Sequence, residues 1–518
     1  MVIDSLYQKL IRSFNSQSIR QIFLTIVVLM LCINTTIAQE KKEIEIINAD
    51  YLKFTEIDGK KYTRLVGDVQ LKQDNVLMNC DSALVDKESN SFEAWNNIHI
   101  IQDTTHTYAQ YLLYNGTTKL STLKQKVLLT DGKAKIQTEE LFYNTKEKLA
   151  YYVIGGKVVR ESSVITSKRT YYFTNTGDVF FNGNVKIVDP DYRLISDTLK
   201  YNVDSDIATF YGNTTIYNND SKILCDNGWF ETKSNVASFG KNTRIENENQ
   251  NLYADSLFYD RNISYGKAMN GFVWKDTAMG IEIHAVRGDY FDKQKTIYAF
   301  EKAFAIYKLD NDSLFLKGDT LFSQEKSETD STKEFSAYHH VKMHTRNMQG
   351  VCDSLFYSMS DSLFRFYYDP IIWTDSIQMS GDSIHLSLKD KKPDIMTLYD
   401  NSILISPEGK YYNQIQGRNI YGYFKDSELN RMKVEGNAES LYFGKDDRGK
   451  LIGANRATSA LMWLYFGEKK IKKVSFVQKP EAVFTPIKML VQDDLLLKLF
   501  RWEIKRKPKS REEITGKS

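Results

Sequence analysis

Residues 196–216, with the sequence SDTLKYNVDSDIATFYGNTTI, contain every feature of a unit that recurs along this chain. The first six letters place Leu199 and Tyr201 two residues apart, which is the period of a strand with one buried face. The polar run DSD at 204–206 has the composition of a turn. The run GNTTI at 212–216 then predicts a second strand that returns antiparallel to the first.

The unit repeats at an interval of 29 residues for six successive steps. With the position of Asp197 called position zero, the same position falls at Asp81, Gln110, Glu139, Lys168, Asp197, Asp226 and Asp255. An earlier copy has its position zero at Asp50. Later copies have it near Arg287, Asp319, Asp353, Asp382, Arg418 and Arg456, at intervals that are wider except for the 29 residues between Asp353 and Asp382. The sequence therefore predicts about fourteen two-strand copies between residues 48 and 480, stacked so that neighbouring copies share a core.

Two sets of positions predict the interior of this array. Position −1 is usually small, as at Ala49, Cys80, Ala109, Thr138, Ser167, Ser196, Cys225, Ala254 and Cys352. Positions +2 and +4 are mostly apolar, and their pairs include Leu141/Tyr143, Leu199/Tyr201, Leu257/Tyr259 and Leu355/Tyr357. A strand that alternates strictly cannot bury both −1 and +2, since these positions differ in parity. A bulge or bend near position zero would bury both.

The composition agrees with a β-rich exported protein. Aromatic residues make up 13% of the 518 residues and proline contributes 7, which favours half-buried strands. The formal net charge of +3 indicates no global nucleic-acid-binding field. Cys80, Cys225 and Cys352 all occupy position −1, where they are interpreted as small buried residues with free thiols.

The N-terminal residues have the pattern of a signal peptide. Lys9, Arg12 and Arg20 precede the apolar run 22–33, which is shorter than the ~20 residues of a membrane-spanning helix. Thr36-Ile37-Ala38 offers a small-x-small cleavage site. We therefore expect residues 1–38 to be a signal peptide and residues 39–480 to be the repeat array, with an uncleaved anchor as the alternative reading.

The C-terminal residues 481–518 differ from the array. The spacing of leucines in 487–500 (IKMLVQDDLLLKLF) predicts a short helix that caps the exposed edge of the last repeat. The residues from Lys498 onward include eight Lys or Arg and three Glu, so this basic tail suits a partner or an anionic lipid surface.

No pattern in the chain predicts an active site, a cofactor or a metal. Nucleophile-elbow, phosphate-loop and dinucleotide motifs are absent from the sequence. The aspartates at position zero are better explained by side-chain hydrogen bonding to turns than by a calcium ladder, since Gln110 and Lys168 interrupt them. His339, His340 and His344 follow a polar insertion, 324–334, that reads as a surface loop. Lys342 lies among them, which discourages a metal.

Two architectures fit these patterns, an antiparallel β-jelly-roll and a parallel β-helix, and the mid-copy turn favours the first. The recurrent pattern, seen in ADSLFY at 254–259, SDTLKY at 196–201 and GNV at 183–185, resembles the OstA-like (organic solvent tolerance, LptA-type) family of lipopolysaccharide transport. The resemblance extends over roughly residues 44 to 450. It implies an elongated all-β jelly-roll solenoid whose apolar interior receives acyl chains.

The same resemblance implies a function. It points to a periplasmic protein, either free in the periplasm or peripheral to the outer membrane, that binds lipopolysaccharide. This protein would join end to end with other jelly-roll proteins of the inner- and outer-membrane complexes, or with itself. The candidate lipid-binding residues are Leu141, Tyr143, Leu199, Tyr201, Leu257, Tyr259, Leu355 and Tyr357. An ordinary packed core is the alternative for these residues. An exported structural or adhesion-type solenoid that binds a protein or glycan is the alternative for the whole chain.

Overall fold

The computed structural model describes residues 43–218, 221–327, 330–468 and 470–516. The expected signal peptide lies outside these residues. The chain divides into two compact units, with the boundary between Lys124 and Gln125.

Forty strands account for most of the described residues. Every strand pairing among these residues is antiparallel, which excludes a parallel β-helix. The first unit contains β1 (Glu45–Asn48), β2 (Tyr51–Ile57), β3 (Lys60–Gln73), β4 (Val76–Asp86), β5 (Ser91–Gln102) and β6 (Thr105–Asn115). Strand β7 (Leu120–Thr130) runs across the boundary.

The second unit contains the remaining strands. These are β8 (Lys135–Asn144), β9 (Leu149–Tyr152), β10 (Gly156–Arg160), β11 (Ser163–Ser167), β12 (Arg169–Phe173), β13 (Asp178–Val188), β14 (Arg193–Asn202), β15 (Ile207–Tyr217), β16 (Lys222–Glu231), β17 (Val236–Phe239), β18 (Thr243–Glu246), β19 (Gln250–Ala254), β20 (Ser256–Asp260), β21 (Tyr265–Asp276), β22 (Ile281–Phe291), β23 (Thr296–Phe300), β24 (Phe304–Lys308), β25 (Ser313–Lys317), β26 (Thr320–Ser327), β27 (Asp330–His344), β28 (Met348–Ser358), β29 (Leu363–Tyr367), β30 (Ile371–Thr374), β31 (Ile377–Ser380), β32 (Ser383–Lys389), β33 (Lys392–Tyr399), β34 (Ser402–Glu408), β35 (Tyr411–Gly417), β36 (Asn419–Lys425), β37 (Glu428–Lys445), β38 (Leu451–Gly467), β39 (Lys470–Val477) and β40 (Glu481–Pro486).

Within each unit the strands bend at position zero, so that two sheets meet along a line of corners. We call the sheet before position zero arm A and the sheet after it arm B. In β14 and β15, residues 193–196 pair with 214–217 in arm A, and residues 198–202 pair with 207–211 in arm B. Asp197 lies in the register shift between them. The predicted bulge at position zero is therefore confirmed, and it allows positions −1 and +2 to face the same interior.

The corner is built from the same backbone contacts in successive copies. The residue at position zero donates its N–H to the carbonyl of a residue in the facing strand, as Asp255 does to Asn270 at 2.9 Å and Arg418 to Gly436 at 2.8 Å. The facing residues have left-handed φ angles, +60° at Asn270 and +76° at Gly436. Glycine and asparagine tolerate this conformation best, which explains their frequency at the start of the second strand.

The aspartates at position zero fix these corners through their side chains. Asn97 Nδ2 donates to Asp81 Oδ2 at 2.9 Å, and Asn242 Nδ2 donates to Asp226 Oδ2 at 2.6 Å. His340 Nδ1 lies 2.7 Å from Asp319 Oδ2 in the same arrangement. The aspartate row therefore makes side-chain hydrogen bonds at corners.

Two sequence-based positions need correction. The position predicted near Arg287 lies at Val286, which falls in the register shift and donates its N–H to Glu301 O at 3.0 Å. The last position zero, placed near Arg456, lies at Ala460, which donates to Gln478 O at 3.3 Å. Strands β37 and β38 are long here, so the interval between positions zero is wider than in the earlier copies.

The polar insertion at 324–334 is also different from its prediction. It forms most of a hairpin between β26 and β27, in which Gln324 pairs with Glu334 and Glu325 pairs with Lys333. Strand pairing continues because it uses backbone groups, which polar residues also supply, and Gln324 Nε2 adds a bond to Glu334 Oε2 at 3.1 Å.

The C-terminal segment is not the predicted cap. Residues 487–500 contain only a 3-10 turn at Gln492–Leu495, and a second 3-10 turn follows at Ile504–Arg506. The α-helix is α1 (Arg511–Thr515). Paired strand β40 extends the sheet six residues past the predicted boundary at 480. Val483 and Phe484 of β40 are 67% and 51% exposed, so the described part of 487–500 leaves these side chains uncovered.

Candidate functional site: the interior and its seam

The eight candidate residues all lie in the second unit and face the space between the arms. Leu141, Leu199, Leu257 and Leu355 are at most 2% exposed, and the tyrosines Tyr143 and Tyr357 are buried as well. Tyr201 and Tyr259 are half-buried. The interior placement follows from alternation in arm B, where positions +2 and +4 point away from solvent.

The interior in this conformation is filled by protein side chains. Phe181, Leu199 and Phe210 lie on adjacent strands and each is fully buried. The Phe210 and Phe239 ring centroids are 6.2 Å apart. A buried side chain with these contacts has the packing of an ordinary core, so a lipid chain needs space that side chains now occupy.

Cys225 and Cys352, both in this unit, face the same interior from position −1. Each is free and buried, and burial raises the pKa of both thiols to about 12. This confirms their interpretation as small core residues.

Opposite the corner, the turns of arm A face the turns of arm B along a line that we call the seam. In the second unit, ion pairs join residues at the two edges of this line. They are Lys133–Asp204, Arg160–Asp206, Lys333–Asp276 and Lys392–Asp310. Tyrosine hydroxyls add further bridges, since Tyr172 donates to Asp131 and the Tyr307 and Tyr357 hydroxyls are 3.1 Å apart.

The first unit has its own seam contacts. The Tyr114 hydroxyl donates to Gln73 Oε1 at 2.6 Å, and Gln73 Nε2 donates to Gly116 O at 3.2 Å. Lys119 Nζ lies 2.6 Å from Asp74 Oδ2. Polar contacts therefore close the seam in both units.

The most deeply buried of these bridges is Asp276 with Lys333. The side chains are 0% and 10% exposed. Gln250 Nε2 also donates to Asp276 Oδ2 at 3.2 Å, and Met279 N donates to Oδ1 at 2.8 Å. Removing one partner of a buried ion pair leaves an uncompensated buried charge, so loss of Lys333 alone should disturb the seam more than loss of an exposed cation.

One part of the seam opens into a crevice of about 240 Å³. Its apolar lining comes from both arms, with Leu314, Met343 and Met348 in arm A and Phe364, Phe366, Leu386 and Leu388 in arm B. Its charged and polar rim includes Asp310, Asp312, Arg346, Lys391, Lys392 and Asp426. Lys392 Nζ is 3.2 Å from Asp310 Oδ2 across this mouth. The crevice combines an apolar floor with a charged entrance.

A second opening of about 220 Å³ lies between the arms near the end of the second unit. Asn413, Ser440 and Tyr442 line it from arm A, and Val474 and Phe476 line it from arm B. Tyr442 is 43% exposed. The interior is thus more accessible here than around Leu199.

The sequence identified the interior residues but not the residues that bridge the two arms along the seam. Asp276, Lys333, Asp310 and Lys392 lie in turns or at strand ends and have no periodic signal. No local pattern distinguishes them either, since Lys333 lies among other charged residues in the polar 324–334 insertion. Among the described residues, no three His, Cys, Asp or Glu side chains come together as metal ligands.

The comparisons with known proteins support the family resemblance over part of the chain. Residues 41–197 match the family described as OstA-like protein. No curated protein matches the chain. None of the helices in the described residues has the length and apolar character needed to cross a membrane.

Proposed function

From the OstA-like segment at residues 41–197, we propose that this chain is a periplasmic lipopolysaccharide-binding protein that serves transport to, and assembly of, the outer membrane. Its jelly-roll interior holds acyl chains, and its seam admits them. The observation that carries this proposal is the crevice at residues 309–427, because it joins a solvent-facing mouth to the buried interior.

The crevice fits an amphipathic lipid with an anionic headgroup. Each methylene buried against Leu314, Phe364 or Leu386 contributes about 0.8 kcal/mol. Arg346, Lys391 and Lys392 lie at the mouth beside Asp310, Asp312 and Asp426, and a phosphate group would replace these carboxylates as the partner of the cations. An acyl chain in the crevice and a phosphate at its rim would be held simultaneously.

Loading deeper into the interior requires the arms to separate. The side chains that fill the interior must move aside, and the ion pairs along the seam must open. The exposed pairs, such as Lys392–Asp310 with side chains 46% and 47% exposed, open at little cost. The buried pair Asp276–Lys333 still joins the two arms when these exposed pairs are open. We infer that loading begins at the crevice.

The exposed end strands suit association with other jelly-roll proteins. In the first unit, Phe54 of β2 is 74% and Leu52 45% exposed, although they occupy positions +4 and +2, which face the interior in later copies. In the second unit, Phe484 of β40 is 51% exposed. An end strand with unpaired backbone groups and exposed apolar residues is a template for another strand. This supports end-to-end assembly into a bridge.

Photo-crosslinking tests the proposal directly. A photoreactive residue in place of Leu386, Tyr201 or Tyr259 should crosslink to lipopolysaccharide in cells, with Leu386 giving the strongest adduct because it lines the crevice. Tyr399, 36% exposed on the outer face of arm B, is the matched control and should give none. Absence of adducts at all three interior positions would rule the proposal out.

One observation favours the second candidate function, a surface that binds a protein or glycan. The outer face of arm B carries half-exposed aromatic side chains, with Tyr171, Phe180, Trp229, Phe258, Tyr399 and Tyr465 between 36% and 39% exposed. Depletion of the protein distinguishes the two functions. Loss of lipopolysaccharide from the outer membrane supports transport, whereas unchanged levels support the surface-binding alternative.

A further inference from the structure

The C-terminal segment lies on the outer face of arm A. We call residues 487–516 the strap. Gln414 Nε2 donates to Leu495 O at 2.8 Å and its Oε1 accepts from Leu497 N at 2.7 Å. Farther along the strap, Gln378 Nε2 donates to Arg501 O at 2.6 Å, and Gln378 Oε1 accepts from Glu503 N at 2.8 Å.

These two glutamines bind the backbone of the strap, not its side chains. Each amide contacts the carbonyl of one residue and the N–H of the residue two positions later, as an adjoining strand would. Gln416 Oε1 accepts a further bond from Leu499 N at 3.1 Å. Since the groups bound belong to the main chain, this mode of recognition suits an extended peptide of varied sequence.

One apolar pocket adds side-chain selectivity. Leu497 is 3% exposed and packs in a cluster with Leu441, Phe443 and Ala454 of arm A. Farther along, the rings of Phe500 and Trp502 lie 5.2 and 5.3 Å from that of Tyr412. Leucine at this position therefore anchors the extended segment.

Charge complements these contacts. The carboxylate of Asp369, a corner residue, forms ion pairs with Arg501 and, at 2.6 Å, with Arg506. Lys342 Nζ lies 2.9 Å from Glu513 Oε1 near the end of the strap. Burial lowers the pKa of Lys507, while the nearby Asp375 carboxylate acts in the opposite direction. Lys507 Nζ donates to the Asp375 carbonyl at 2.6 Å. The basic tail seen in the sequence thus has acidic and carbonyl partners on this face.

The first residues of the strap, directly after β40, are largely exposed. Met489 is 69% and Val491 60% exposed, whereas Leu490 packs against the Leu497 cluster, and Ile487 N donates to Ile452 O at 2.9 Å. A terminal segment that binds through an exposed connection is the arrangement from which identical chains exchange elements.

We propose that the outer face of arm A between Lys342 and Ala454 is a peptide-binding groove, that the strap is its resident ligand, and that the strap of a second copy of this chain binds there in its place. This inference does not depend on lipid binding. Tethering gives the chain's own strap an effective concentration in the millimolar range, so exchange is favoured at high protein concentration or once the connection is cut.

The first experiment uses the full chain with a specific protease site inserted after Met489. After cleavage, a fluorescent synthetic peptide of residues 490–516 should bind one site per chain, measured by anisotropy. Gln378→Ala or Gln414→Ala should weaken that binding at least tenfold, because each removes two hydrogen bonds. Gln137→Ala is the matched control and should leave binding unchanged, because Gln137 of β8 lies on the outer face of arm A but outside the groove.

The second experiment tests exchange between intact copies. A photoreactive residue replaces Phe500 in an isotopically light copy, which is mixed with a heavy copy. Crosslinks from position 500 to heavy peptides that contain Tyr412 should increase with protein concentration. Light-to-light crosslinks alone at every concentration would overturn the proposal. So would a cleaved, folded chain that binds no labelled peptide, or binds it equally well without Gln414.

Discussion

The corner and the seam are the two boundaries of the interior, and they are built differently. At the corner, one pattern of backbone hydrogen bonds and left-handed residues recurs from copy to copy, from Asp50 to Ala460. At the seam, each bridge is a different pair of side chains, and the partners are far apart in sequence, as are Lys133 with Asp204 and Asp276 with Lys333. The corner is therefore specified by a repeated backbone pattern, whereas the seam is closed by side-chain pairs that differ from place to place.

The largest effect should come from breaking the seam at its buried pair. Lys333→Met leaves the Asp276 carboxylate buried without its cation, which costs about 3–5 kcal/mol. We expect faster hydrogen exchange in β21 and β27, with little change around the corner at Asp226. The double variant Asp276→Leu/Lys333→Met should recover most of that stability, since no unpaired charge remains. A single variant as stable as wild type would contradict the assigned role of the pair.

The next effect should come from breaking the corner. Gly212 has a φ of +77°, and a Cβ there would lie 2.8 Å from Asp197 Oδ2. Gly212→Ala should destabilise the protein by about 2–3 kcal/mol through strain and steric overlap. Gly409 has a φ of +61° but open space around it. Gly409→Ala should therefore cost only about 1 kcal/mol, and equal losses in urea unfolding would show that the close approach at Asp197 is unimportant.

The stability that the buried cysteine at position −1 contributes beside the corner should depend on pH. Burial raises the pKa of Cys225 from 9.0 to about 12, so the unfolded chain releases this proton at lower pH than the folded one. The stability that the buried thiol contributes is present below pH 9 and is lost as the pH rises towards 12. Relative to Cys225→Ala, wild type should lose about 1 kcal/mol between pH 8 and pH 10. A pH-independent difference in urea midpoints would contradict burial of the thiol.

The smallest energetic effect should come from the exposed seam pair at the crevice. Lys392→Ala removes the contact with Asp310 and should change stability by less than about 1 kcal/mol. It should nevertheless increase the access of a thiol reagent to a cysteine placed at Leu388, because the mouth no longer closes. Lys410→Ala, outside the crevice, is the control. Unchanged labelling at position 388 would show that the pair does not limit access.

The sequence predicted the corner because its signal is local and periodic. Ser196 before position zero and Leu199 after it could both be buried only with a bulge between them, and the structure has that bulge at Asp197. The interior positions followed from the same period. Where the interval lengthens, as before Ala460, the prediction moved off the corner by four residues.

The seam and the strap were not predictable in the same way. Seam partners such as Asp310 and Lys392 meet through the curvature of the two arms, which no spacing in the sequence specifies. In the strap, Leu495, Leu497 and Leu499 are two residues apart, which is the period of an extended chain. The more distant Leu490 suggested a helix, but the backbone contacts with Gln414 and Gln416 stabilise the extended form.

The most direct test is to lock the seam at the crevice and measure lipid loading. Cysteines in place of Asp310 and Lys392 can be joined by a short bifunctional thiol reagent, while the native cysteines of the folded part stay buried. We predict that the locked chain takes up lipopolysaccharide at least tenfold more slowly than the same variant before joining. Uptake at an unchanged rate by the locked chain would contradict entry through the seam.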